Sequence, residues 1–278
     1  MTNFIFTLLL GSATLITGSV TQFPLLEEND DHRLRIIGGL SATDGEIPYQ
    51  ILLQDRGRST CGGSFISVNG THFVLTAAHC VPDVNDPSRY TVVAGEVDRR
   101  TNSGNEQTRK VTRIFRHDRF NTRSYVNDIA LLVIDEPFKV NSYVSPIPLP
   151  NQGQKTSGEV VVSGWGRTSV FSRRLSPVLR QVYLSVIDDI PCRLLYASPN
   201  TWVYSSMLCA GKVTGGTGTC NGDSGGPLKA VNGDYLAAIG SWGAICAFPL
   251  QPGVYTEVSH YIDWIEQQAY KVSNLFGS

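Results

Sequence analysis

The chain is poor in charge and has no surplus of either sign. Asp, Glu, Lys and Arg make up 17% of its 278 residues, and 23 basic against 24 acidic residues leave a net charge of −1. With no basic excess to neutralise a phosphate backbone, nucleic acid is not an expected partner. No C-x-x-C or H-x-x-x-H spacing occurs, so a structural zinc site is not expected either. Long apolar runs are also missing. The best is residues 4–18, interrupted by Thr, Ser and Gly, whereas a membrane span needs about 20 apolar residues. The 41% hydrophobic content is nevertheless too high for a disordered chain.

What is present describes an exported, turn-rich protein. The length is well above the roughly 150 residues of one average domain, so two small domains or one large one fit. The 27 glycines and 14 prolines suit a β fold with many turns. The apolar run ends in Gly18 and Ser19, as a secretory signal would, although Met1-Thr2-Asn3 lacks Lys or Arg. Residues 1–19 are therefore expected to be a signal peptide. Residues 27–35 hold four acids and two arginines, and Arg35 directly precedes Ile36-Ile37-Gly38-Gly39. A solvated, arginine-ended strip before an apolar start has the form of a removable pro-segment, residues 20–35. Six cysteines, Cys61, Cys80, Cys192, Cys209, Cys220 and Cys246, point to three disulfides in an exported chain and leave their connectivity open.

From residue 36 onward, short β runs alternate with turn residues, among them Ser64-Phe65-Ile66-Ser67-Val68, Ile129-Ala130-Leu131-Leu132-Val133-Ile134 and Val160-Val161-Val162. Asn69-Gly70 between two such runs is a hairpin signal. This texture predicts barrels or sandwiches rather than alternating β and α units. Val258, Tyr261, Ile262 and Ile265 recur at helical spacing, predicting a C-terminal helix. Prolines 146, 148 and 150 cannot lie in a central strand or helix interior, so they divide two β domains, residues 36–148 and 149–278.

Four strings carry chemistry: Thr76-Ala77-Ala78-His79-Cys80, Asn127-Asp128-Ile129-Ala130-Leu131, Cys220-Asn221-Gly222-Asp223-Ser224-Gly225-Gly226-Pro227, and the Ile36-Ile37-Gly38-Gly39 start. A serine hydroxyl is a weak nucleophile at neutral pH. It needs an imidazole to take its proton and a buried carboxylate to hold that imidazole in the right tautomer. In these strings and their order the chain resembles the trypsin–chymotrypsin family of serine proteases across residues 36–270. The resemblance implies an all-β fold of two packed six-stranded antiparallel Greek-key barrels with a C-terminal helix. It implies Ser224 as nucleophile, His79 as general base and then acid, and Asp128 as orienting carboxylate. Backbone N–H groups of Gly222 and Ser224 would form the oxyanion hole, where glycine leaves room for close approach. It further implies cleavage between Arg35 and Ile36, after which the new Ile36 ammonium pairs with Asp223 and orders the site. The implied disulfides are Cys61–Cys80, Cys192–Cys209 and Cys220–Cys246.

By the same resemblance Gly218, six positions before Ser224, forms the floor of the specificity pocket. Trypsin-like members carry an aspartate there to pair with Arg or Lys. Residues 211–221 contain no acid, and burying a guanidinium unpaired is costly. Thr219 stands beside the floor, and Ser241, Trp242, Gly243 and Gly253 correspond to the walls. An open, uncharged slot predicts a large apolar P1 residue, Phe, Tyr or Leu, with elastase-like preference for smaller residues as the alternative. Such an enzyme would not cut its own Arg35–Ile36 bond, so a separate trypsin-like activator is an expected partner, beside protein or peptide substrates and protein inhibitors. Tyr196 and Tyr255 read equally as pocket frame or core.

No cofactor is required by this chemistry. Glu96 and Glu106 bracket a polar loop whose spacing resembles the family's calcium loop; Arg99 and Arg100 between them offer the alternative of an ordinary charged hairpin. Asn69-Gly70-Thr71 is an N-glycosylation sequon on a predicted turn. The rival to catalysis is a binding protein that keeps the fold and has lost the chemistry, but His79, Asp128 and Ser224 are all retained. A secreted, monomeric, broad-specificity digestive protease is the expectation.

Overall fold

The computed structural model describes residues 39–276, apart from 170, 173, 198–200, 217, 221 and 245. The expected signal peptide, pro-segment and Arg35–Ile36 bond lie outside the described residues.

A short strand β1 (Leu40–Ser41) precedes six strands that close into a barrel: β2 (Gln50–Asp55), β3 (Arg58–Val68), β4 (Thr71–Thr76), β5 (Tyr90–Ala94), β6 (Gln107–Arg116) and β7 (Ala130–Ile134). They run in the order β2-β3-β4-β7-β6-β5, all neighbours antiparallel, with β5 returning to β2. The period-2 geometry of a strand sends successive side chains to opposite faces. Val74, Ala130 and Leu132 fill the barrel interior with Phe65 and Tyr90, while Phe73, Leu75, Leu131 and Val133 face a second core outside it. Both faces are dry, which is why β7 reads as an unbroken apolar run. Asn69 (φ 50°) and Gly70 (φ 81°) form the two-residue turn between β3 and β4, the left-handed pair that suits a hairpin's twist.

The second barrel comprises β8 (Glu159–Gly164), β9 (Arg180–Ile187), β10 (Met207–Gly211), β11 (Pro227–Ala230), β12 (Leu236–Trp242) and β13 (Gly253–Glu257), with helix α1 (Asp189–Leu195) between β9 and β10. Its order is β9-β10-β13-β12-β11-β8, closed by β8 pairing with β9. Val160, Val162, Val182, Leu184, Leu208 and Leu228 fill it. The two-barrel architecture expected from the resemblance is thus the one observed. Strand β1 adds to β9, so the start of the described chain joins the second barrel rather than the first.

The proline-rich strap at 145–150 is pinned to both halves. Ser145 and Ile147 N–H groups bond Pro48 and Phe65 carbonyls of the first barrel, and Pro148 O accepts from Leu236 N–H of the second. The terminal helix α2 (Ile262–Phe276) buries Ile262, Ile265, Ala269 and Val272, one apolar stripe, in the same cluster as Phe73, Leu131, Leu236 and Ile239. The three disulfides pair as the resemblance implied.

Candidate active site

His79 lies on a 3-10 turn, Ala78–Cys80, directly after β4. Its neighbour Cys80 is bonded to Cys61 in β3, which limits how that turn can move. Asp128 sits immediately before β7 and is fully buried. A buried carboxylate must find donors. Its Oδ1 accepts His79 N–H at 2.9 Å, and its Oδ2 lies 2.7 Å from His79 Nδ1 and 2.6 Å from Ser241 Oγ. Because a carboxylate only accepts, Nδ1 carries the proton of this contact, so the tautomer that leaves the lone pair on Nε2 is the one Asp128 selects for the neutral ring. Thr256 Oγ1 donates to the Asp128 carbonyl at 3.0 Å, fixing its backbone to β13.

Ser224 is held from the first barrel, since its carbonyl accepts Gly62 N–H at 2.8 Å. Gly225 follows at φ 74°, where a Cβ would lie 2.2 Å from Thr76 Oγ1 and 2.8 Å from Gly62 O. Only glycine lets the Ser224 turn sit this close to β3 and β4. Ser224 and His79 line one cleft, with no hydrogen bond between Ser224 Oγ and the His79 ring; such contacts commonly tighten only when substrate binds. Gly222 has φ 103°, and a Cβ there would come within 2.4 Å of Leu175 Cδ2. The N–H groups of Gly222 and Ser224 have no acceptor among the described residues.

Between them, Asp223 turns inward. It is 2% exposed, its Oδ1 accepts Gly166 N–H at 2.7 Å and its Oδ2 accepts Cys220 N–H at 2.9 Å. Burial pushes its carboxyl up to about 6, against the pull of these two donors. A Cβ at Gly164 or Gly166 would strike an Asp223 oxygen at 2.3 or 2.2 Å. The Gly164-Trp165-Gly166 string at the end of β8 is thus part of the site, and its paired glycines were the overlooked signal.

The cleft has a volume of about 270 Å³. Gly218, Thr219, Ser241, Trp242, Gly243 and Gly253 all line it. A Cβ on Gly243 would stand 3.9 Å from Gly253 Cα; the two wall glycines lie side by side, one step beyond the Trp242–Val254 pair of β12 and β13. Tyr255 lines the pocket with its hydroxyl 3.2 Å from Thr219 Oγ1, and Tyr196 braces it from behind, donating to Pro252 O and meeting Trp242 edge-on at 5.0 Å. Sequence reasoning missed Tyr125, which meets His79 edge-on at 5.6 Å, and the lining residues Lys212, Phe248 and Gln251. Lys212 and Asp223 are the charged residues at the pocket, and the acid is already sequestered.

In the Glu96–Glu106 loop the arginines do not hydrogen-bond the acids. Arg99 donates to Ser176 O, at 2.7 Å from Nη2, and Arg100 pairs with Asp98. Glu106 accepts from Ser103 and Gly104 N–H groups, while Glu96 Oε1 is buried with no hydrogen-bond partner among the described residues. Burial, then the Glu106 charge, raises the Glu96 carboxyl. Asn69 is exposed at its hairpin tip.

Comparison with known proteins bears on these groups directly. The family described as Trypsin matches residues 36–265. The chain is 43% identical over 242 residues to trypsin-1 of Astacus astacus, covering 84% of this chain and all of that protein. It is 40% identical to coagulation factor IX of Oryctolagus cuniculus, over 91% of this chain and 90% of that one. Serine protease 1 of Canis lupus familiaris is 36% identical over 96% of this chain and 98% of its own length.

Proposed function

The chain belongs to the trypsin family of serine proteases, and from that premise we propose a secreted endopeptidase, made as a precursor, that cuts after large apolar residues. It is a serine endopeptidase, and the mechanism we assign uses its own side chains with no cofactor. His79 Nε2 takes the Ser224 hydroxyl proton as Oγ attacks the scissile carbonyl carbon. The imidazolium that forms faces the buried Asp128 carboxylate. Negative charge developing on the carbonyl oxygen is met by the free N–H groups of Gly222 and Ser224, each such donor typically contributing about 3–4 kcal/mol in the transition state. His79 then protonates the leaving amine, and water, deprotonated by the same ring, releases the acyl group from Ser224.

The observation that carries this reading is the pair His79 Nδ1 and Asp128 Oδ2, 2.7 Å apart, opening onto the cleft that Ser224 also lines. The P1 preference rests on composition at the pocket: glycine at 218, 243 and 253, Trp242 as a wall, and no unengaged carboxylate to receive Arg or Lys. Lys212 at the lining repels a cationic side chain further.

Residues 1–19 are assigned as signal peptide and 20–35 as pro-segment, released by a trypsin-like activator after Arg35. In the uncleaved chain Ile36 is in peptide linkage and has no ammonium to offer Asp223. Three disulfides support an extracellular destination, and no helix among the described residues is long and apolar enough to cross a membrane. The exposed Asn69 sequon is assigned as a glycan acceptor.

The test uses secreted precursor, cut with trypsin and then freed of it, with Ser224→Ala as control. Matched peptides ending in Phe, Tyr, Leu, Ala and Arg are compared by kcat/KM. Turnover at the large apolar residues, absent before cleavage and in the variant, is expected. A preference for Ala moves the assignment to an elastase-like enzyme, and a preference for Arg overturns the pocket reading. Inertness of the cleaved protein would point to a binding protein of the same fold.

A further inference from the structure

We propose that the outer face of β6 and the loop after it form a basic exosite for an acidic stretch of a polypeptide substrate, engaged away from the bond being cut. The proposal goes beyond the activity assigned above and is independent of its P1 preference.

Charge is balanced over the whole chain but not in this segment. Residues 107–123 hold six Lys and Arg, namely Arg109, Lys110, Arg113, Arg116, Arg119 and Arg123, against one acid, Asp118. None of the six makes an ion pair with a carboxylate of the described residues. Two lie where the fold already uses or offsets them. Arg109 donates to the carbonyls of Thr108, Glu136 and Pro137, and Lys110 stands beside Asp135, whose Oδ1 accepts its backbone N–H at 3.0 Å. Arg116 gives one N–H to Pro82 O at 3.0 Å. Arg113, Arg119 and Arg123 are exposed, and their guanidinium groups have no hydrogen-bond partner among the described residues.

The local fold turns these groups outward. Val111 and Ile114 both side with the interior of the first barrel although they are three positions apart, which a regular pleat does not allow. The register with β7 slips between Val111 and Arg113, so an extra residue bulges there and Thr112 and Arg113 are both exposed. Arg113 lies over the Phe115 ring, 6.0 Å from its centroid, and that ring packs on the core outside the barrel. After β6 the chain turns into a loop that its own asparagines secure. Asn121 Oδ1 accepts the Arg123 and Ser124 N–H groups at 2.9 and 3.1 Å, Tyr125 N–H bonds Asn121 O at 2.8 Å, and Asn127 Nδ2 donates to Arg119 O at 3.0 Å. The loop ends at Tyr125, which meets His79 edge-on and lines the catalytic cleft. Arg119 and Arg123 are therefore carried beside the cleft on a backbone set before any ligand arrives.

Exposed cations without an internal counter-charge favour an anion, and several together attract and steer one that a single exposed pair would hold weakly. The net charge of −1 gives no general attraction for nucleic acid. A row of cations that ends at a cleft built for polypeptide fits a polypeptide whose Asp and Glu residues lie some distance along the chain from its scissile bond. Such a contact raises the local concentration of substrate and leaves the reacting atoms untouched, so it acts on KM.

The experiment uses the activated enzyme and one cleavable peptide core, extended at either end through a Gly-Ser linker of about twenty residues, which averages about 25 Å. The linker ends in a short run of glutamates, in the same number of lysines, or in nothing. At low ionic strength a Glu-tailed peptide should exceed the untailed one in kcat/KM by about tenfold, through KM, and the gain should vanish by about 0.5 M salt. Lys tails should give no gain. The ratio is read within each protein, so no variant has to keep the wild-type basal rate. Arg113→Glu combined with Arg119→Glu should bring it to about one, and Lys229→Glu, on β11 of the second barrel, should leave it standing. Absence of a gain from Glu tails at both ends overturns the proposal, as does a gain that survives the double reversal. Heparin binding through Arg113 and Arg119, with no gain from any tail, makes the strip a polysaccharide site and overturns it too. If the cleaved protein turns over no peptide, the proposed function falls by itself; fluorescence anisotropy of a labelled Glu-tailed peptide on Ser224→Ala protein then decides the exosite, with binding lost on the double reversal supporting it and no binding overturning it.

Discussion

Ser241 Oγ donates to the same Asp128 oxygen, Oδ2, that faces His79 Nδ1, at 2.6 and 2.7 Å respectively. Ser241 belongs to β12 of the second barrel, while Asp128 and His79 flank strands of the first. The orienting carboxylate is therefore clamped across the two barrels, and any slippage between them would rotate the imidazole that it holds.

Removing that clamp should impair the chemical step rather than binding. Ser241→Ala leaves Asp128 its two His79 contacts, and kcat should fall about tenfold with KM little changed, a fraction of what a charged hydrogen bond contributes. Asp128→Asn presents an amide where only an acceptor is tolerated, and the loss should reach about 10⁴-fold. Steady-state kinetics on a Phe or Tyr peptide, with circular dichroism to check folding, decides it. A Ser241→Ala enzyme with unaltered kcat would show that the clamp is dispensable.

The wall glycines set how large a P1 residue can enter. A Cβ at Gly243 meets nothing closer than Gly253 Cα at 3.9 Å, so Gly243→Val should fold normally while filling the slot. Turnover of Phe and Tyr peptides should drop at least about a hundredfold and that of Ala peptides persist, because overlap with a packed wall is poorly relieved. Equal losses on all peptides would mean that the substitution damages the site rather than the slot.

On the proposed activation, Asp223 should give precursor and cleaved enzyme opposite responses to pH. In the uncleaved chain burial holds its carboxyl at about 6, above an ordinary aspartate's 3.8. Over that window the folded state binds more protons than the unfolded one, so stability falls as pH rises from about 4 to about 6. Once an Ile36 ammonium pairs with it, the carboxyl is depressed instead, and stability is lost as pH falls. Urea unfolding of Ser224→Ala protein before and after cleavage should show the two slopes, and Asp223→Asn should flatten both. Identical slopes would dissociate Asp223 from activation.

Glu96 should report calcium. Its carboxyl is raised by burial and by Glu106, and Oε1 lacks a donor. In chelator the ionised group opposes folding above its unfolded value, so Glu96→Gln should be at least as stable as the wild type at neutral pH. Millimolar calcium should raise the wild-type Tm and leave that of Glu96→Gln unmoved. A wild-type Tm indifferent to calcium would return the loop to an ordinary hairpin.

Much of this protein is written locally. The Asn69-Gly70 hairpin, the apolar run of β7 and the stripe of α2 are legible because each depends on the backbone's own periodicity or on a left-handed turn that few residues adopt. The strings around His79, Asp128 and Ser224 are legible for a related reason: their glycines and small residues meet steric demands within a few positions of the functional group. Gly164-Trp165-Gly166 stayed silent, since its glycines answer to Asp223, distant in the chain and resting 2.2 to 2.3 Å from where their Cβ atoms would be.

By itself the sequence determined short strands in two β domains and a C-terminal helix, because strand alternation and helical spacing are local; the two closed barrels, the disulfide pairing and the candidate reacting groups came through its resemblance to the trypsin–chymotrypsin family. Only the tertiary structure decided that Ser241 braces Asp128 as well as lining the pocket, that the 145–150 strap ties one barrel to the other, and that Lys212 and Gln251 line the pocket. Those contacts join segments far apart in the chain. They arise when β10 pairs with β13 and Cys220 bonds Cys246, and neither periodicity nor local turn geometry carries information about which side chains then meet.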